Sequence, residues 1–248
     1  MKINKDYIID NLKTLFYALV IALLIRSLLI QPFYIPSSSM EPNLLVGDRL
    51  FVTKYSYGYS KHSFPFSPPL FKGRILSYKP ERGDIVVFKT PSDNRTDYIK
   101  RLIGLPGDKI QFKNGDLFLN NEIIIREKIS NKLKIFCANK EVEVNFYQET
   151  LPSKKINVVY NKVGSMINSD IYIVPKNHYF FLGDNRDCSK DSRFLSSVGF
   201  VHEENLVGKA QIIFFSNNTN IGGLLKFWNL HKSIREDRFF KKLKWNKI

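Results

Sequence analysis

Residues 97–108 read DYIKRLIGLPGD, and this stretch decides the fold. Its first part combines aromatic, β-branched and aliphatic side chains, which is the composition of a β-strand. Its last part, LPGD, brings proline, glycine and aspartate together, as tight turns do. The stretch therefore predicts a strand over residues 98–105 that ends in a reversal of the chain.

The same succession of a strand-like run and a turn recurs after residue 36. Turn signals lie at Gly47, Gly83, Gly107, Asn114 and Gly183. Strands are predicted over residues 49–55, 84–89, 98–105, 109–112, 116–120, 179–182 and 206–215. We expect a mainly β protein built on an antiparallel β-sheet core.

Lys100 lies within the strand of the opening stretch, and Ser39 lies in the segment IPSSSMEP at residues 35–42. A serine hydroxyl needs a base to become a nucleophile. The four histidines show neither metal-site spacing nor a triad motif; they are His62, His178, His202 and His231. A lysine replaces them only if its amine is neutral, and burial is what lowers its ordinary pKa of about 10.4.

The neighbours of Lys100 are apolar enough to bury it, since Tyr98, Ile99, Leu102 and Ile103 flank it. Lowering a lysine pKa by about three units costs about 4 kcal/mol. The alternative is a surface lysine on the strand and an ordinary loop at residues 37–39. Local composition alone leaves both interpretations open.

Charge and cysteine content exclude several classes of protein. The 248 residues carry a formal charge of +15, but the excess is spread along the chain and no base-reading motif accompanies it. We therefore expect no nucleic-acid partner. Cys137 and Cys188 are too few for a zinc site or a disulfide scaffold, and whether they pair is left open.

An apolar segment near the N-terminus predicts a transmembrane helix over residues 14–33. It is unbroken from Leu15 to Ile25, is interrupted at Arg26, and is expected to end at Pro32. A cleaved signal peptide and a buried core helix are the alternatives. Lysines at 2, 5 and 13 against aspartates at 6 and 10 favour an N-terminus on the inner side of the membrane.

Three further segments carry weaker predictions. Residues 61–73, KHSFPFSPPLFKG, predict a loop whose phenylalanines either dip into a lipid interface or cap the core. Residues 129–177 are rich in lysine and asparagine and predict an inserted smaller β subdomain. Residues 216–248 form a basic, aromatic tail, whose last part is either an amphipathic helix on anionic lipid or a solvated tail.

Four sequence blocks occur in order behind the apolar segment. They are SSSMEP at 37–42 continuing into LLVGD at 44–48, RGDIVVF at 82–88, DYIKRLIGLPGD at 97–108, and GDNRDCSKDSR at 183–193. Together they closely resemble bacterial type I signal peptidase, the leader peptidase. The resemblance covers residues 26–112 and 178–215, and it says little about the rest of the chain.

The resemblance implies a membrane-anchored serine endopeptidase with a Ser/Lys dyad, which cleaves signal peptides from exported preproteins after small residues at the first and third positions before the cut. It would need no metal and no cofactor. It implies Ser39 as nucleophile, Lys100 as general base, Ser37 as an oxyanion donor and Ser189 as the hydroxyl that orients the amine. The supporting residues would be Met40, Arg101, Asp184, Asp191 and Arg193.

The apolar segment, the composition of the later segments and the resemblance together predict a division of the chain. Residues 1–13 would be cytoplasmic and 14–33 the membrane anchor, followed by a catalytic domain from 34–128 and 178–215 on the outer, periplasmic face of the inner membrane. The remaining parts of the chain would be the inserted subdomain at 129–177 and the tail at 216–248. Preproteins and the phospholipid membrane are the expected partners.

Two departures and two alternative functions accompany this interpretation. Cys188 stands where the family usually has asparagine, and residues 195–198 lengthen the path after Arg193.

A self-cleaving Ser/Lys protease of the kind fused to SOS repressors would share the dyad but not the apolar N-terminal segment. A catalytically inactive, membrane-tethered binding module would not need Ser39, Lys100 and Ser189 together.

Overall fold

The computed structural model describes residues 5–137, 140–161, 166–218 and 230–243. Its strands are β1 Ile30–Tyr34, β2 Asp48–Thr53, β3 Ile85–Lys89, β4 Asp97–Gly104, β5 Lys109–Lys113, β6 Asp116–Leu119, β7 Glu122–Ile123, β8 Arg126–Cys137, β9 Lys140–Thr150, β10 Lys155–Tyr160, β11 Tyr172–Ile173, β12 His178–Leu182, β13 Val201–His202, β14 Leu206–Ser216 and β15 Lys241–Lys242. Its α-helices are α1 Lys5–Leu24 and α2 Leu230–Ser233. The mainly β, antiparallel fold predicted from the sequence is confirmed.

Helix α1 runs into a π-helical turn at Ile25–Leu29. The segment Asp6–Leu29 is long and apolar enough to cross a membrane, and an 18-residue window within it has a mean hydropathy of 1.9. The helix begins earlier than the predicted residue 14 and ends before Pro32. Proline disfavours helix in the residue before it and lacks an amide hydrogen, so Ile30–Tyr34 forms the edge strand β1 instead.

The main sheet has the strand order β1-β2-β14-β3-β4-β12-β13, and β15 pairs with β14. Strand β3 is buried on both faces. Ile85 and Val87 pack into an apolar cluster that includes Met40, whereas Val86 and Phe88 pack into a second cluster. This double burial explains the continuous apolar run of β3. It also fixes the neighbouring strand β4, in which Lys100 lies opposite Val86.

Residues 129–177 contribute to two smaller sheets, β10-β9-β8 and β11-β5-β6-β7. Their apolar side chains do not form a wholly separate core. Leu151, Ile156 and Val174 share one buried cluster with Ile103 of β4 and Phe180 of β12. The segment is therefore packed against β4, which carries the lysine motif, and against β12, which leads into the block at 183–193.

The proline- and phenylalanine-rich loop contains a 3-10 turn at Lys61–Ser63. Phe66 is fully exposed, whereas Phe64 and Phe71 are half-buried and contact each other edge to face. The loop thus has one exposed phenylalanine and two partly buried ones, and contact of Phe66 with lipid stays a prediction.

The described part of the C-terminal tail folds onto the main sheet. Strand β15 pairs with β14, and the buried Arg238 guanidinium lies 2.6 Å from the Asp48 carboxylate. Phe239 stacks on Phe215. Residues 230–243 are therefore neither a helix on lipid nor a solvated tail, because a buried ion pair and strand pairing hold them. Residues 227–229 and 244–248 lie outside the described residues.

Candidate active site

Ser39 and Lys100 meet in the structure. Lys100 projects from β4, and Ser39 lies in a 3-10 turn at Ser38–Met40. The Lys100 Nζ donates a hydrogen bond of 2.5 Å to the Ser39 Oγ. Both residues are buried, with 4% and 6% of their surfaces exposed. The alternative of a surface lysine is therefore wrong.

The turn that carries Ser39 is held from two sides. The Met40 side chain is fully buried in the apolar cluster beneath the sheet. Above it, the Asn185 amide donates to the Ser39 carbonyl oxygen at 3.1 Å, and the Asn185 side chain donates to the Ser38 carbonyl oxygen at 3.2 Å. Backbone and side-chain anchors together leave the hydroxyl facing the lysine.

Burial lowers the pKa of the Lys100 amine to about 8. The charges of Asp191 and Asp184 oppose this shift, and that of Arg193 assists it. The lowered pKa gives a useful neutral fraction of amine near neutral pH.

Each of the two nearby carboxylates is paired with an arginine. Arg101 binds Asp184 through two hydrogen bonds of 2.6 Å, and this pair is fully buried. Arg193 binds Asp191 through bonds of 2.8 and 2.9 Å, and Asp191 also accepts the Gly183 amide at 3.0 Å. Since both carboxylates are matched by a guanidinium, neither acts as a close counter-ion for the Lys100 amine.

Ser37 lies at the open side of the dyad. Its side chain is exposed, and its Oγ is 3.4 Å from the Ser39 Oγ. The Ser37 hydroxyl therefore lies beside that of Ser39 on a residue that solvent reaches.

Ser189 differs from the expectation that its hydroxyl bonds the lysine amine. Its Oγ is buried and has no hydrogen-bond partner among the described residues. It lies against Gly183, where an added Cβ would overlap both the Ser189 hydroxyl and the Ser39 carbonyl oxygen. In this structure the amine donates to Ser39 instead, so an orienting contact from Ser189 is not formed.

A disulfide joins Cys137 at the end of β8 to Cys188, with Cα atoms 5.7 Å apart. It answers the question that the sequence left open. The residue before Cys137 contacts the serine turn, because the Phe136 amide donates to the Glu41 carboxylate at 3.2 Å. The tip of β8 thus touches both the Ser39 segment and the Ser189 segment.

Sequence reasoning did not single out Asn43, Asn185, Glu41 or the disulfide partners for the site. Asn43 donates to the Asp184 carboxylate at 2.7 Å and so joins the serine segment to the buried arginine pair. These contacts link residues far apart in the chain, and no local sequence pattern indicates them, although Asn43 and Asn185 lie within or beside the recognised blocks.

In the described part of the chain, no three His, Cys, Asp or Glu residues are grouped as a metal site would require.

Comparison with known proteins agrees with this geometry. The family model described as "Signal peptidase, peptidase S26" matches residues 8–215. Signal peptidase I of Rickettsia akari (strain Hartford) is 43% identical over 250 residues, covering 92% of this chain and 90% of that protein. Signal peptidase I of Rickettsia conorii (strain ATCC VR-613 / Malish 7) is 42% identical over 247 residues, with the same coverages.

A crystal structure of a signal peptidase I from Enterococcus faecalis V583 is 27% identical and covers 53% of this chain and 97% of that one, with a TM-score of 0.32, which is too low for a comparison of the folds. The family model and the relatives, in contrast, cover most of the chain. The chain therefore belongs to the signal peptidase family, peptidase S26.

Proposed function

We propose that Ser39 is the nucleophile and Lys100 the general base of this chain. As a member of its family, the chain is a serine endopeptidase that cleaves signal peptides. One observation carries the assignment of residues: a buried lysine amine with a lowered pKa lies 2.5 Å from a buried serine hydroxyl.

In the proposed reaction, the neutral Lys100 amine accepts the Ser39 proton while the Oγ attacks the carbonyl carbon of the scissile peptide bond. The resulting ammonium then protonates the leaving amine, and the C–N bond breaks to give an acyl-enzyme. The neutral amine next takes a proton from water, whose oxygen attacks the ester and releases the acid. The proton finally returns to Ser39, so the amine starts the next cycle neutral.

Ser37 and the Ser39 backbone N–H are proposed to hold the oxyanion of the tetrahedral intermediates. The exposed Ser37 hydroxyl beside the nucleophile supports this role. Losing one such donor typically lowers the rate about 10² to 10³-fold.

Ser189 is proposed to orient Lys100 after acylation, when the Ser39 oxygen is in an ester and no longer fixes the amine. The absence of any hydrogen-bond partner for its Oγ among the described residues leaves that hydroxyl available to accept from the amine. Met40 positions the serine turn, and the pairs Arg101–Asp184 and Asp191–Arg193 brace the loop around Gly183.

The substrate is proposed to be an exported preprotein, bound as an extended strand with small residues at the first and third positions before the cut. This preference rests on the sequence resemblance to the family.

The chain is proposed to sit in the cytoplasmic membrane through Asp6–Leu29, with its N-terminus inside and the β domain on the outer face. The apolar helix supports the anchor, and the lysines that precede it support the orientation. Since Ser39 follows the helix end closely, cleavage would take place near the membrane surface.

The test is incubation of the full chain in neutral detergent with a preprotein, and mapping of the product by mass spectrometry. Ser39→Ala and Lys100→Met should each lower the cleavage rate by at least about 10³-fold. Lys176→Met removes an exposed lysine and serves as the matched control. Wild-type rates in either dyad variant would overturn the assignment, and retention of preprotein without any product would favour the inactive binding module.

A further inference from the structure

A cavity of about 650 Å³ lies where the N-terminal helix meets the β domain. Arg26, in the last turn of the helix, forms part of its wall together with the loop that contains Lys61 and Phe66. The connection between β3 and β4, with Arg95, closes another side. Neither Ser39 nor Lys100 lines this cavity, so it is distinct from the proposed active site.

Positive charge dominates the wall. Its four basic side chains are Arg26, Lys61, Lys89 and Arg95. Lys89 is matched by Asp97, whose carboxylate lies 2.9 Å away. The other three have no ion-pair partner among the described residues.

The second acidic residue of the wall, Asp93, offsets only part of this charge, because two carboxylates then stand against four basic side chains. Its carboxylate accepts hydrogen bonds from the hydroxyls of Thr90 and Thr96 at 2.6 and 2.5 Å and from the backbone amide of Arg95 at 2.9 Å. It is thus occupied within its own turn. The cavity keeps an excess of positive charge that an anion would neutralise.

Two buried polar side chains in and behind the wall have few hydrogen-bond partners among the described residues. His62 lines the cavity and is 4% exposed, and its Nε2 has no hydrogen-bond partner among the described residues. Lys54 is 2% exposed, and its amine donates only to the Ser63 carbonyl oxygen in the described structure. Burial, followed by the charge of Arg26, lowers the Lys54 pKa to about 8.

The surroundings of the cavity are amphipathic. Arg26 belongs to the segment Asp6–Leu29 that is apolar enough to cross a membrane, so the cavity would lie at the level of the lipid headgroups. Phe64 lines the cavity half-buried, and Phe66 lines it fully exposed. A ligand that is anionic at one end and apolar at the other matches both features.

We propose that this cavity binds the phosphate of an anionic phospholipid, with Lys61, Arg95 and Arg26 around the phosphate and the acyl chains beside Phe66. Free phosphate shares the anionic chemistry, but it would leave Phe64 and Phe66 without an apolar partner. The inference depends on the proposed membrane placement. It does not depend on the chemistry of Ser39 and Lys100, and its test does not measure cleavage.

The experiment uses the full chain in neutral detergent and native mass spectrometry to count bound phosphatidylglycerol as lipid is added. Phosphatidylcholine is the zwitterionic comparison, and inorganic phosphate is added as a competitor. The test variant is Lys61→Gln with Arg95→Gln. The matched control, Lys109→Gln with Lys176→Gln, removes the same charge from exposed lysines that do not line the cavity.

We expect the test variant to bind phosphatidylglycerol about 25-fold more weakly, from about fivefold per basic side chain near an anionic surface. The control variant should bind like wild type, and phosphatidylcholine should bind more weakly than phosphatidylglycerol. Arg95→Gln alone, in an exposed turn, should give about a fivefold loss and replaces the double variant if that one fails to melt cooperatively.

Equal binding of phosphatidylglycerol by wild type and the test variant would overturn the proposed binding site. An equal loss of binding in both double variants would also overturn it, since general surface charge would then explain the binding. Complete displacement of phosphatidylglycerol by millimolar inorganic phosphate would overturn the proposal that the ligand is a lipid. The cavity would then be a site for the free anion. Equal affinity for phosphatidylglycerol and phosphatidylcholine would overturn the argument that the excess positive charge of the cavity selects an anionic lipid.

Discussion

The Lys100 amine donates a 2.5 Å hydrogen bond to the hydroxyl of Ser39, although the two residues come from separate sequence blocks. The amine is buried without a carboxylate of its own, because Asp184 and Asp191 are each paired with an arginine. The arrangement favours catalysis at the expense of stability. A buried amine that can be neutral is a base, and a buried amine that must be charged opposes folding.

Lys100→Met should therefore make the protein inactive but more stable. The folded-state pKa of about 8 lies below the unfolded value of about 10.4, so the lysine opposes folding fully below pH 8. That cost is about 3 kcal/mol, and loss of the bond to Ser39 offsets about 1 kcal/mol of the gain. We expect a net stabilisation of about 1–2 kcal/mol at pH 7, measured by denaturant unfolding in detergent.

The control is the pH dependence of the stability difference between Lys100→Met and wild type. Above about pH 10.4 the lysine is neutral in both states, so the advantage of Lys100→Met should disappear there. A gain in stability that stays constant from pH 7 to above pH 10 would show that packing, and not the buried amine, is responsible.

The pH–rate profile of preprotein cleavage should report the same group. Because the base must be neutral, kcat/KM should rise about tenfold per pH unit at low pH and level off above about pH 8. Lys54 has a pKa lowered to a similar value, so it is the competing source of this limb. In Lys54→Met the limb should keep its position; a limb that moves with this substitution would assign it to Lys54.

Gly183→Ala should lower the activity strongly, through a steric overlap rather than through backbone strain. The added Cβ would overlap the Ser189 hydroxyl and the Ser39 carbonyl oxygen, so the loop and the serine turn must separate. Since small displacements of a nucleophile cost about 10² in rate, we expect at least that loss in kcat.

Gly107→Ala is the comparison for this substitution. It lies in a turn with φ near +91° and meets no atom within 4 Å, so it should cost about 1 kcal/mol of stability and little activity. Equal kcat values for the two variants would contradict the argument from the close approach of Gly183 to Ser39.

The sequence predicted the central strands well and the peripheral ones poorly. Strand β3 is a continuous apolar run from Ile85 to Phe88 that follows Gly83, and β4 is rich in aromatic and aliphatic residues around Lys100 and Arg101, because both strands lie inside the sheet. Strands β8 and β9 carry many lysines and glutamates on exposed faces, so their composition resembles that of a loop. Pro32 predicted the end of the helix, but its own place in an edge strand depends on pairing with β2.

The proposed dyad was predicted from motifs, whereas its surroundings depend on tertiary contacts. Burial of Lys100 follows from the position of β4 between β3 and β12, which the apolar neighbours of Lys100 only suggested. The pairing of Cys137 with Cys188 needs the tip of β8 to lie over the Ser189 loop. Two isolated cysteines carry no information about such a contact.

Replacing Cys137 and Cys188 by serine should loosen the Ser189 loop. The disulfide closes a loop with a sequence separation of 51, and bonds of this kind typically contribute about 2–4 kcal/mol. We expect a lower melting temperature and a reduced kcat, both reproduced in wild type by a reducing agent. A reducing agent that changes neither quantity would show that the β8 tip and the loop are held by other contacts.

Removal of one partner from the fully buried pair of Arg101 and Asp184 should destabilise the protein far more than the loss of an exposed ion pair. Arg101→Met leaves the Asp184 carboxylate without its guanidinium, and an uncompensated buried charge costs about 3–5 kcal/mol. The comparison is Lys134→Met, which breaks the exposed pair with Glu141 and should cost at most about 1 kcal/mol. Denaturant unfolding of both variants measures the difference. A similar small loss in both would mean that water reaches Asp184, and its carboxylate would then no longer be a fixed support behind the proposed dyad.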